Sequence, residues 1–100
     1  MPVDQRVKAG KIWPTLVELA SAKKTATYTE LGPKLGIVRR NLTPPLEVIA
    51  KHCQRMNWPP LTAIVVPTDG GIADAEAVMR VHEFDWARVK NPFELFLSTN

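Results

Sequence analysis

Between residues 4 and 22 the apolar side chains Val7, Ile12, Trp13, Leu16, Val17, Leu19 and Ala20 recur at close to helical spacing and predict an amphipathic first helix. Gly10 and Pro14 interrupt the pattern. An interior proline removes a hydrogen bond and collides with the preceding turn, so either a kink before Pro14 or a short turn ahead of the main helix is expected. Residues 25–28 (Thr25, Ala26, Thr27, Tyr28) favour β structure, are too short for a helix and predict a brief extended stretch. Thr29 then stands as the N-cap of a short helix over 30–35, which Gly36 closes in the left-handed conformation.

After residues 37–42, Thr43 followed by Pro44 signals a second start, because proline at the first helical position forfeits no intrahelical bond. This helix carries Leu46, Ile49, Ala50, Cys53 and Met56 on one face and Glu47, Lys51, Gln54 and Arg55 elsewhere. Trp58, Pro59 and Pro60 end it, and residues 61–66 form the best strand by β-branched content. Residues 67–71 predict a turn around Asp69 and Gly70, residues 73–81 a further helix. The segment 85–97 places Trp86, Val89, Phe93 and Phe96 on one side, with a break at Asn91 and Pro92.

These elements predict an α+β chain, mostly helical, with a small β-sheet and the order of parts of a winged helix-turn-helix. With 100 residues, 45% of them hydrophobic, and no repeat, low-complexity tract or linker, one domain over 1–100 is expected. Cys53 is the one cysteine, so no intrachain disulfide can form, which suits a reducing compartment. No stretch has the apolar length of a signal-peptide core or a membrane span; a cytoplasmic protein without membrane contact is expected.

The net charge of +3 and a pI near 9.3 favour polyanionic partners, and the placement of charge sharpens this. Lys23, Lys24, Lys34, Arg39, Arg40, Lys51 and Arg55 face only Glu30 and Glu47 in the same stretch, whereas Asp69, Asp74, Glu76, Glu83, Asp85 and Glu94 lie in the last third. A helix fits the major groove of B-DNA with its N-terminal residues at base edges. Arg39, Arg40 and Asn41 precede the candidate recognition helix, where guanidinium groups can pair with phosphate or guanine and the Asn41 amide with adenine. Thr29 and Thr43 would offer hydroxyls and free N–H groups to phosphates, and Tyr28 and Lys34 flank them. The plainer alternative is that Arg39 and Arg40 form a solvated turn between two capped helices.

At these residues a resemblance enters. Thr27, Tyr28, Thr29, Glu30, Leu31, Gly32, Pro33, Lys34, Leu35 and Gly36 resemble a segment of the winged-helix DNA-binding domain of alkylguanine-DNA alkyltransferases and of the catalytically dead alkyltransferase-like proteins. The chain is also similar to small bacterial winged-helix domains that accompany HNH-type nucleases. That likeness is carried by Tyr28, Leu31, Gly36, Arg40, Asn41, Leu42, Leu46, Ile49, Cys53, Pro59, Pro60, Leu61, Thr62, Val65, Val66 and Gly70. The resemblance covers about the middle half of the chain and implies that Tyr28 and Arg40 touch the nucleic-acid backbone or lie beside it. The departures matter equally. Where an alkyltransferase needs Pro-Cys-His-Arg, this chain has Pro60, Leu61, Thr62 and Ala63, which excludes methyl transfer, and no HNH segment follows. The resemblance therefore implies recognition of double-stranded DNA, as in a bacterial or phage regulator, or an adaptor role.

Cys53 shares the apolar stripe while His52 points about 100° away, so an inert buried thiol and a surface histidine are expected rather than a nucleophile and its base. His82 near Glu83 and Asp85 lacks a second ligand at metal-binding spacing; no metal, cofactor or catalytic residue is assigned. Trp13, Trp58 and Trp86 are expected to anchor the core, with Trp58 the candidate exception. The rival function is a protein-interaction module, an inhibitor, immunity or nuclease-associated factor, docking a partner or a twin subunit through the C-terminal aromatic segment.

Overall fold

The computed structural model describes residues 5–66 and 74–97. Helix α1 runs unbroken over Gln5–Ser21 with Pro14 inside it, and buries Ala9, Gly10, Ile12, Trp13, Leu16 and Ala20. The physical reason that Pro14 does not divide it lies one turn back and far along the chain. Pro14 has no N–H to give to the carbonyl of Gly10. That carbonyl instead accepts the side-chain amide of Asn91 at 2.9 Å.

Gly10 makes the approach feasible, since a methyl group there would stand 2.9 Å from the Phe93 carbonyl oxygen and 3.2 Å from the Leu97 side chain. The Asn91 side-chain oxygen in turn accepts from the Phe93 N–H at 3.0 Å, which fixes the start of the C-terminal segment. Gly10→Ala should therefore lift this segment off α1. Overpacking costs about 1–3 kcal/mol, against about 1 kcal/mol that alanine returns through helix propensity. Amide exchange should rise selectively over residues 91–97; unchanged protection there would contradict the notch.

Strand β1 (Ala26–Thr27) leads directly into helix α2 (Tyr28–Leu35). The cap of α2 is Thr27 and not Thr29: the Thr27 hydroxyl accepts from the Glu30 N–H and the Glu30 carboxylate accepts from the Thr27 N–H, each at 3.1 Å. This reciprocal pair satisfies two otherwise orphaned donors and starts the helix two residues early. Gly36 ends it with φ 69°, as expected, while the N–H of Ile37 bonds the Gly32 carbonyl at 3.0 Å.

A 3-10 turn, Arg39–Asn41, connects to helix α3 (Thr43–Arg55). Here too the expected cap moves. Leu42 is the N-cap, in a helical conformation without a side-chain cap, because the 3-10 turn runs straight into α3. The buried face of α3 holds Pro45, Leu46, Ile49 and Cys53, but Ala50 is only half-buried and Met56 lies outside the core, 49% exposed. The helix closes ahead of the prolines at Asn57, whose φ of 59° lets the Trp58 N–H return to the Cys53 carbonyl at 2.9 Å.

Residues 61–66 do not form one strand. Leu61–Ile64 is a 3-10 turn and only Val65–Val66 (β2) is extended, pairing in parallel with β1 through Ala26 with Val65 and Thr27 with Val66. With two residues in the partner strand there is nothing to pair the rest. In a 3-10 turn positions i and i+3 eclipse, which sends both Leu61 and Ile64 into the core. The predicted turn at 67–71 lies outside the described residues.

Helix α4 (Ala75–Glu83) is capped by Asp74, whose carboxylate accepts from the Ala77 N–H at 3.0 Å. The C-terminal segment is not helical throughout but forms two 3-10 turns, Trp86–Arg88 and Glu94–Phe96. Trp86 and Phe93 are buried in the same apolar cluster as α1 and α3, and the Trp86 indole donates to the Val81 carbonyl at 2.8 Å. The described residues thus form a mostly helical α+β fold in which β1, α2, the 3-10 turn and α3 follow one another along the chain.

Candidate nucleic-acid interface

The position of the basic turn follows from two glycines. Gly36 allows the reversal after α2, and Gly32 allows the returning chain to lie against the helix: a methyl on Gly32 would meet the Ile37 carbonyl oxygen at 2.8 Å and the Arg39 nitrogen at 3.8 Å. The turn is then held by hydrogen bonds from Asn41 to the Val38 carbonyl (2.8 Å) and from Leu42 to the Arg39 carbonyl (3.1 Å). All three of its side chains are exposed.

Two adjoining open depressions result. One, of about 470 Å³, is lined by Tyr28, Val38, Arg39, Arg40 and Thr43; the other, of about 430 Å³, runs from Tyr28, Val38 and Arg39 along Thr29, Gly32, Pro33, Gly36 and Ile37. Among the described residues no carboxylate lines either one. Five of the seven residues expected from the sequence, Tyr28, Thr29, Arg39, Arg40 and Thr43, meet here; Lys34 and Asn41 are exposed nearby but line neither surface. Val38 was not anticipated. It is 59% exposed between the arginines and Tyr28 and gives the first depression an apolar wall.

The start of α3 offers anions less than a usual helix terminus. Pro44 and Pro45 have no N–H, and the Leu42 N–H is taken by Arg39, leaving the Thr43 amide as the donor of the first turn. Any phosphate held here therefore depends on guanidinium and hydroxyl groups more than on the backbone.

The chain matches no family model, no curated protein and no solved structure.

His52 is not the surface side chain expected. Its ring packs edge-on against Trp58 and Phe93, each at 5.4 Å between centroids, and burial followed by the nearby Arg55 charge lowers its pKa from the usual histidine value. Cys53 is fully buried, and burial pushes its thiol pKa up despite hydrogen bonds with the backbone of Leu61 and of Cys53 itself. A bulky thiol reagent should label the native protein far more slowly than the unfolded chain, and Cys53→Ser should destabilise by about 1–3 kcal/mol. Rapid native labelling would contradict this burial.

The imidazole Nε2 of His82 lies 3.0 Å from the Lys24 carbonyl oxygen, tying α4 to the loop after α1. Among the described residues no group of three His, Cys, Asp or Glu is arranged to hold a metal ion, and no helix is long and apolar enough to cross a membrane.

Proposed function

We propose that this chain is a non-enzymatic DNA-binding module that holds double-stranded DNA through the turn between α2 and α3, in the manner of a winged helix-turn-helix. The observation that carries this reading is the meeting of Tyr28, Arg39, Arg40 and Thr43 around one open depression with no carboxylate among its described lining residues. The order β1, α2, turn, α3 and β2 supports the same reading, as do the resemblance over residues 27–36 and the basic charge of the middle third. Arg39 and Arg40 would contact phosphate or guanine, with Tyr28 and Thr43 on the backbone beside them.

The rival reading, a protein-interaction module, draws less from the C-terminal segment than its aromatic content suggests. Trp86 and Phe93 are inside the fold, so a partner or twin subunit would meet Leu95 and Leu97 instead. Fluorescence anisotropy with random duplex DNA at two salt concentrations separates the two. DNA binding that weakens steeply with salt is expected, through release of phosphate counterions; absence of binding at low salt would favour the protein partner.

A further inference from the structure

Further along α3 lies a second cationic surface. Arg6, Val48, Lys51, Gln54 and Arg55 line an open groove of about 530 Å³ between the start of α1 and the last turns of α3, again without a carboxylate among the described residues of its lining. Its floor is mainly apolar, contributed by Val48 and the stems of the long side chains. Lys51 and Arg55 are exposed and enter no ion pair among the described residues, while the Arg6 guanidinium lies over the Phe96 ring at 4.4 Å from its centroid.

This groove and the first interface both border α3, with the exposed Glu47 between them. At 100° per residue Thr43, Glu47, Lys51 and Gln54 fall along one side of α3 with Arg55 flanking them, and Thr43 and Arg55 are separated by about 18 Å along the axis. The major groove is about 12 Å wide. Laid across the groove, a helix of this length would bring its N-terminal end near the phosphates of one strand and its C-terminal end near those of the other. Glu47, exposed between the two cationic groups, would sit away from both phosphate rows and toward base edges, where a carboxylate accepts from the cytosine amino group.

We propose that the Lys51 and Arg55 groove is a second phosphate site, which holds the DNA strand opposite to the one met by Arg39 and Arg40. The inference rests on the duplex-binding reading above and adds the second point of attachment. The occupant is the phosphodiester backbone: the groove offers Arg6, Lys51 and Arg55 around an open channel that a passing polyanion can enter, on the helix that follows the Arg39 and Arg40 turn.

The test is the salt dependence of random-duplex affinity for four proteins: wild type, Lys51→Ala with Arg55→Ala, Arg39→Ala with Arg40→Ala, and Arg88→Ala with Lys90→Ala. The last pair loses the same charge outside both surfaces. Melting temperatures check that each is folded. The Lys51 and Arg55 pair should reduce the slope of log K against log salt by about two, one for each lost phosphate contact, and the control pair by much less. Wild-type binding with a slope lost in the Arg39 and Arg40 pair but kept in the Lys51 and Arg55 pair overturns this proposal alone. No salt-dependent binding by wild type overturns it together with the duplex reading. A labelled polyglutamate peptide that binds at Lys51 and Arg55 more tightly than the duplex does would assign the groove to an acidic protein and also overturn it.

Discussion

Replacing Trp13 by alanine should cost the fold about 3–5 kcal/mol, a large share of the 5–15 kcal/mol, roughly, that holds a domain of this size together. Trp13 is 2% exposed and lies among three aromatic partners: Trp86 edge-on at 5.8 Å, Phe93 at 6.2 Å and Trp58 tilted at 6.3 Å. These rings come from α1, the loop after α3 and the C-terminal segment, so one truncation opens a cavity where all three meet. Trp86 cannot swing in to close it, because its indole is tethered to the Val81 carbonyl. The melting temperature should fall by more than about 10 °C, at roughly 4–8 °C for each kcal/mol. A fall of only a degree or two would show that the aromatic cluster does not hold the C-terminal segment to α1.

A double change of Arg39 and Arg40 to alanine should have the opposite profile, leaving folding nearly intact while weakening duplex binding strongly. Both side chains are exposed, and the turn that carries them is held by its own backbone bonds and by the close approach to Gly32. The salt slope should fall by about one to two units. Asn41→Ala should differ, costing about 1–3 kcal/mol on one preferred sequence and little on random DNA, as expected of an amide that reads an adenine edge. An arginine pair without effect on duplex binding would leave the turn as solvated surface.

Much of this arrangement was legible in the sequence, and the departures have local causes. The helices follow apolar periodicity, and Gly36 closes α2 as its placement suggested. The cap of α2 was misplaced because Thr27 and Thr29 compete for the role; the deciding signal is Glu30, which is three residues after Thr27 and completes a reciprocal cap. The β-branched run at 61–66 read as a strand because composition does not reveal that its partner offers two residues. Continuity of α1 through Pro14 depends on Asn91, far away in the chain, and no local pattern could supply it. Of the candidate site, residue types at 39–43 were sufficient to locate the basic turn. The wall formed by Val38 and the groove at Lys51 and Arg55 emerged only once α1, α2 and α3 were packed.

Duplex DNA is proposed to meet the face built from α2, the basic turn and the start of α3. Amide chemical-shift mapping by NMR during titration with a short duplex reports that contact residue by residue. The largest perturbations are expected at Tyr28, Thr29 and residues 38–43, with smaller ones along the exposed side of α3 and little change at Trp86 or Phe93. Perturbations confined to the neighbourhood of Leu95 and Leu97, or none at low salt, would contradict it.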